Sequence, residues 1–183
     1  MLRFCANFLA LHPKGRFKLS NRYEYKLDLV DFSEPLPTQN DDVTVRSVQH
    51  KDAEALAVLM IEAYRGTIDY DGETVEDARG EVAAFLAGER GGPALLAQSY
   101  LAEVDGNVAA ASLVATWNDR NCPLIAYVMT DVAWKQQGLG RLLVTESLAA
   151  LHRQGHGEVR AVITAGNDPS ERLFLGLGFH KIE

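Results

Sequence analysis

Between Ala133 and Val144 the sequence runs AWKQQGLGRLLV, with two glycines two apart separating a polar, cationic triplet from an apolar run. A glycine in a helix interior costs about 1 kcal/mol relative to alanine, so a pair at the mouth of a helix points to backbone that something must approach closely. Downstream, Leu139, Leu142, Leu143 and Ala150 share one helical face, with Val144, Leu148 and Leu151 beside it, and Gly155 ends the run. Upstream, PLIAYVMTDV over 123–132 is nearly all apolar to Met129, the pattern of a strand buried on both faces; EVRAVIT supplies the strand after the helix. A parallel crossover of this kind aims the helix N-terminus at the carboxyl end of the first strand. Unpaired N–H groups and the helix dipole favour an anion there, so the stretch reads as a phosphate cradle.

The spacing narrows the choice of phosphate. A Walker loop needs GxxxxGK[ST], which is absent, and a dinucleotide fingerprint needs a third glycine where Leu143 stands. The stretch instead resembles the acyl-CoA pyrophosphate loop of the GNAT superfamily of N-acyltransferases: Arg or Gln, two residues, Gly, one residue, then Gly or Ala. Here it reads Lys135-Gln136-Gln137-Gly138-Leu139-Gly140, and Lys135 departs from the usual first residue while keeping a cation near the diphosphate. A second stretch, NDPSERLFLGLGF over 167–179, resembles the later signature of the same superfamily, an Asn after the fifth strand followed by a short helix ending in Gly-Phe. One helix and one strand separate the two motifs, as the resemblance requires, and it extends over about residues 43–183.

The resemblance implies an α/β fold with a mixed, mostly antiparallel central sheet, helices on both faces and a splayed cleft between the fourth and fifth strands. It implies acetyl-CoA as co-substrate and no metal. Val128, Met129 and Thr130 would offer backbone groups to the pantetheine arm, which pairs in the cleft like an added strand. Lys135, Gln136, Gln137, Gly138, Leu139, Gly140 and Arg141 would hold the diphosphate, and Asn167 with Ser170 would touch pantetheine from the other side. Asn167 equally suits capping the short helix, and Ser170 suits a helix start. The implied reaction is direct attack of an amine on the thioester, its oxyanion stabilised by a backbone N–H of the fourth strand. The alternative is an acyl-CoA-binding regulatory or partner-docking protein without turnover.

The acid–base groups are thinly represented. An amine with a reference pKa near 10.4 must lose a proton to attack, yet the fourth strand carries no carboxylate before Asp131. Tyr127, Asp119 and Glu103 are the candidates; an aromatic in a buried strand equally serves packing, and the two acids equally serve as solvated charges. Many members of the superfamily carry a Tyr in the last helix to protonate the departing thiolate, in a place held here by Phe174, which cannot donate. Acceptor choice is expected in YRGTIDYDGETVED over 64–77, whose Asp69, Asp71, Glu73, Glu76 and Asp77 could attract a cationic amine or simply belong to a solvated loop and helix start.

Around these residues the pattern is strand, two helices, three strands, helix, strand, helix, strand. VTVRSV over 43–48 alternates like a strand, Asp52 opens a helix, Thr74 with Asp77 reads as a capping box, and Asp105-Gly106-Asn107 reads as a hairpin turn. DFSEPLPTQNDD over 31–42 breaks all periodicity and reads as a linker, dividing an extension, 1–42, from the main domain, 43–183. In the extension Phe17 and Leu19, then Tyr23, Tyr25, Leu27 and Leu29, alternate as a hairpin or meander expected to extend or cover a sheet edge. The final strand is expected to be short, leaving an edge for the extension or a second subunit of a homodimer to cover.

The 183 residues are 47% hydrophobic and 23% charged, which fits a globular chain with a sizeable core. A formal charge of −7 with no Lys/Arg cluster argues against nucleic acid as a partner. Cys5 and Cys122 are too few and too far apart for a disulfide framework or a metal knuckle, so reduced thiols and a cytoplasmic setting are expected. Asn7 interrupts the opening apolar stretch, no small-residue cleavage site follows, and no run approaches the ~20 apolar residues of a membrane span, so neither a signal peptide nor a membrane partner is expected.

Overall fold

The structure is a computed structural model and describes residues 21–30, 32–33 and 42–182. The hairpin expected around Phe17 and Leu19, Cys5, and most of the linker at 31–42 lie outside the described residues. The elements are β1 (Arg22–Asp28), β2 (Thr44–Ser47), α1 (Ala53–Tyr64), α2 (Val75–Leu86), β3 (Tyr100–Val104), β4 (Asn107–Trp117), β5 (Cys122–Thr130), α3 (Leu139–Arg153), β6 (Glu158–Thr164), α4 (Asp168–Leu175) and β7 (His180–Lys181).

Local chemistry accounts for several boundaries. The Thr74 hydroxyl accepts from the Asp77 amide at 3.2 Å while the Asp77 carboxylate accepts from the Thr74 amide at 2.9 Å, a reciprocal cap that opens α2. Asp105 and Gly106, with φ of 50° and 78°, form the two-residue turn between β3 and β4. Gly138 caps α3 with φ of 82°, a left-handed conformation that a residue with a Cβ adopts only under strain.

The strands form one seven-stranded sheet in the order β2-β3-β4-β5-β6-β1-β7. Every neighbouring pair is antiparallel except β5 and β6. On one face α1 and α2 pack through Leu56, Met60, Val82 and Phe85 against Leu101, Leu113 and Met129. On the other, Val144, Leu148 and Leu151 of α3 and Phe174 of α4 meet Val114, Ile125, Val159 and Ile163. Both faces of β5 are therefore covered, which is why its sequence lacks alternation.

The extension contributes a strand to the interior of the sheet, between β6 and β7, where an edge position was expected. β1 pairs with β6 from Arg22↔Thr164 to Asp28↔Glu158. The two-residue β7 attaches only to β1, through Tyr25↔Lys181 and Lys26↔His180. Tyr25 and Leu29 face the α3–α4 core and are buried. The Tyr25 hydroxyl donates to Glu171 of α4 at 2.5 Å; burial first, and the carboxylate second, push its pKa up to about 12. Because β1 is a central strand, amide hydrogen exchange in 23–28 is expected to be as slow as in 159–163. Fast exchange confined to 23–28 would show a loosely attached strand instead.

Candidate functional site

β5 and β6 stay in register only at Leu124↔Arg160 and Ile125↔Ala161, and then part. The same stretch of β5 carries a bulge: Leu113 faces Tyr127 and Val114 faces Ile125, so Ala126 has no partner in register on either neighbour. A cavity of about 310 Å³ opens where the strands separate. Ile125, Ala126, Val128 and Thr130 line it from β5, and Ala161 and Val162 from β6. The end of α1 and its exit contribute Ala63, Tyr64 and Thr67; Asn167, Pro169, Ser170, Leu173 and Phe174 come from the start and inner face of α4.

The glycine loop closes one end. Lys135, Gln136 and Gly140 line the cavity, while Met129, Gln137, Gly138, Leu139 and Arg141 do not. The first bond within α3 runs from the Leu142 amide to the Gly138 carbonyl, so the amides of Leu139, Gly140 and Arg141 come before any intrahelical partner. Nothing lies within 4 Å of where a Cβ on Gly138 would stand, leaving open space before the helix N-terminus. A Cβ on Gly140 would make ordinary contact with Thr130 Oγ1 at 3.5 Å and Val128 Cγ1 at 3.6 Å, so this glycine brings the helix close to β5. The Lys135 ammonium donates to the Ala63 carbonyl at 2.9 Å, and Arg141 donates to the Gly176 carbonyl at 2.8 Å, tying the loop to the ends of α1 and α4. A polyanionic group with an amide-bearing arm fits this arrangement: donors and a helix dipole stand at one end, and unpaired strand edges along the cleft.

Asn167 does cap α4, its Oδ1 accepting from the Ser170 amide at 3.1 Å, and it also lines the cavity. Four of the five acidic side chains of the α1–α2 connection are engaged in local structure, and Asp71 contributes its backbone amide. Glu73 accepts from the Asp71 amide at 2.8 Å, Glu76 pairs with Arg79 at 3.0 Å, Asp77 caps α2, and Asp69 turns inward to Thr164 and Asn167.

The three acid–base candidates lie off the cavity lining. The Tyr127 hydroxyl donates to Glu81 of α2, a carboxylate only 1% exposed that Arg90 grips with two 2.7 Å bonds. Tyr127 also meets Phe85 edge-on at 5.7 Å, so its packing role is the one seen. Glu103 accepts from Arg46 at 2.7 Å, and Arg46 also grips Asp52. Asp119 is exposed in the turn between β4 and β5. Among the described residues, no carboxylate or imidazole lines the cavity; its side-chain hydroxyls are those of Tyr64, Thr67, Thr130 and Ser170. Phe174 is buried and stacks edge-on against Phe179 at 4.9 Å.

Residues 106–183, 78 of the 183 and including both motifs, match the FR47-like protein family. Over 82 residues the chain is 37% identical to phosphinothricin N-acetyltransferase from Streptomyces viridochromogenes, covering 43% of this chain and 45% of that one. The fold superposes on a GCN5-related N-acetyltransferase from Sphaerobacter thermophilus with a TM-score of 0.68 at 19% identity, over 88% of this chain and 48% of that one. The fold is that of the GNAT N-acetyltransferases. Another structure with this GNAT fold, yncA from Salmonella typhimurium with its cofactor acetyl-CoA, superposes with a TM-score of 0.60 at 22% identity, over 76% of this chain and 80% of that one. The chain matches about half the length of the phosphinothricin and Sphaerobacter relatives. No helix among the described residues is long and apolar enough to cross a membrane.

Removing Glu81 would leave the half-buried Arg90 guanidinium without that carboxylate and take away the acceptor to which the Tyr127 hydroxyl donates. Glu81→Ala is expected to destabilise the fold by about 3 kcal/mol and Tyr127→Phe by about 1 kcal/mol in urea titration. Equal, small effects of the two would show that the pair contributes little.

Proposed function

We propose that this GNAT chain is an acyl-CoA-dependent N-acyltransferase that transfers an acetyl group from acetyl-CoA to a primary amine. The observation that carries the reading is the cavity between the parted strands, ending at the open N-terminus of α3. The acetyl-CoA-bound relative of the same fold and the identity to phosphinothricin N-acetyltransferase support it.

Bound acetyl-CoA would supply an activated acyl group, a thioester carbonyl open to attack by an amine. The amides of Leu139, Gly140 and Arg141 would hold the diphosphate, with the helix dipole and Lys135 adding positive potential. To hold it, Lys135 would exchange its bond to the Ala63 carbonyl or share it. Val128 and Thr130 on one side and Asn167 and Ser170 on the other would flank the pantetheine arm. The bulge at Ala126 leaves backbone groups outside the ladder beside the cavity, where an N–H can stabilise developing negative charge on a carbonyl oxygen. With no carboxylate on the lining among the described residues, the acceptor would arrive as the neutral amine or release its proton to water.

A second reading, binding of acyl-CoA without turnover, is favoured by Phe174, which cannot protonate a thiolate. A thiolate with a pKa near 8.5 is a tolerable leaving group, so this residue slows transfer without forbidding it. Acetyl-CoA consumption across a panel of small amines, peptide N-termini and lysine peptides separates the readings. Phe174→Tyr adds one oxygen at the cavity wall and is expected to raise kcat by about 10-fold while leaving acetyl-CoA affinity nearly unchanged. A fall in kcat with binding intact would assign the phenyl ring another role in the pocket.

The glycine loop yields a separate test. Gly138→Ala is expected to cost about 1–2 kcal/mol of stability because of its left-handed backbone. Gly138→Asp is expected to weaken acetyl-CoA by about 10-fold or more through charge repulsion at the diphosphate while leaving pantetheine binding much less affected. Calorimetric titration of the folded variants checks this, and equal losses for both ligands would contradict the cradle.

A further inference from the structure

The loop joining α1 to α2 is mostly exposed, yet Asp69 within it is only 7% exposed. A carboxylate leaves water at little cost only where donors replace the lost hydration. Asp69 finds them on the far side of the cleft. Thr164 at the end of β6 donates to its Oδ1 at 2.6 Å, and the Asn167 amide at the start of α4 donates to its Oδ2 at 2.7 Å. Apolar contact accompanies these bonds. Ile68 Cδ1 lies 3.3 Å from where a Cβ on Gly166 would stand, so the loop rests on the turn between Thr164 and Asn167.

Cavity-lining residues stand on both sides of this link, Tyr64 and Thr67 on the α1 side and Asn167 and Ser170 on the α4 side. The two polar ends of Asn167 are both committed, Nδ2 to Asp69 and Oδ1 to the Ser170 amide. A flipped amide would set its oxygen against the Asp69 carboxylate and its NH₂ against the Ser170 N–H. Both contacts therefore demand the same orientation.

We propose that Asp69 is a positioning residue: it fixes the Asn167 amide at the cavity wall and pins the α1–α2 loop to the β6–α4 corner across the mouth of the acyl-CoA slot. The inference rests on the acyl-CoA reading of that cavity. It reassigns Asp69 from attraction of a cationic acceptor, since both of its oxygens already serve the protein.

The test is a double-mutant cycle on the full chain, read by calorimetric titration with acetyl-CoA, using wild type, Asp69→Ala, Asn167→Ala and the double variant. Asp69→Ala removes the acceptor that Asn167 needs, a loss Asp69→Asn would not impose because its amide oxygen can face Asn167 while its NH₂ donates to the Thr164 hydroxyl. Each single variant is expected to weaken binding by about 10-fold, and the double variant by no more than about 10-fold, because Asp69 acts through Asn167. Multiplied losses of about 100-fold in the double variant, or wild-type affinity in Asp69→Ala, would overturn the proposal. A purely structural role would lower melting temperature without this coupling. Should Asp69→Ala fail to fold, the native protein carries a second readout: the Asn167 side-chain amide protons are expected to be protected from exchange in NMR spectra, and exchange at the solvent rate would overturn the link. Absence of acetyl-CoA binding by wild type would overturn the functional reading itself; tight wild-type binding with multiplied losses overturns only the role of Asp69.

Discussion

The site depends on a parallel pair that is allowed to fail. β5 and β6 share register at two residue pairs and then diverge, leaving the inner edges of both strands without a ladder. Buried backbone N–H and C=O groups need partners, so an opening of this kind is costly unless a ligand or water supplies them. It survives because each strand is held from its outer side, β5 by β4 as far as Ala110↔Thr130 and β6 by β1 as far as Arg22↔Thr164. The two ladders pull the strands apart at their carboxyl ends, where α3 and α4 begin. Helix dipoles, unpaired amides and open strand edges thus meet in one place, and a long ligand with a charged end and an amide-bearing arm satisfies all three.

This arrangement gives the N-terminal strand a part in the site although it lies outside the stretch that carries the GNAT motifs. β1 supplies the outer ladder for β6, anchors the two residues of β7, and reaches α4 through Tyr25 and Glu171. Ser170, Leu173 and Phe174 of that helix line the cavity, so the wall facing β5 rests on residues from both ends of the described chain. The buried Glu81–Arg90–Tyr127 cluster does the equivalent on the other face, fixing β5 to α2 beside the bulge.

What the sequence made legible was what short-range chemistry determines. The Thr74–Asp77 box, the Asp105-Gly106 turn and the apolar run of β5 each act over a few residues, and each falls where its pattern placed it. The two stretches that resemble GNAT motifs are short-range patterns of the same kind. Pairings across many residues were not. Nothing in the alternation of Tyr23, Tyr25, Leu27 and Leu29 says that β1 enters between β6 and β7 and not at an edge, because a central and an edge strand can share one pattern when one face is covered. Tyr64 and Thr67 carry no local mark of lining a cavity. Asp69 looked like one more acid in an acidic loop, and only its burial against Thr164 and Asn167 sets it apart. Glu81 did leave a readable sign: it interrupts the apolar stripe of Ala78, Val82 and Phe85 on α2, and Arg90 follows nine residues later.

The central claim is that the opening between β5 and β6 is an acyl-CoA slot closed at one end by the start of α3. Amide hydrogen exchange of the full chain with and without saturating acetyl-CoA tests it directly, since a seated ligand supplies the partners that the parted strands and the helix start lack. The account predicts slowed exchange concentrated in 126–130, 138–141 and 167–173, with little change along β2, β3 or the turn at Asp119. Unchanged exchange in those three segments, or protection confined to another surface, would contradict it.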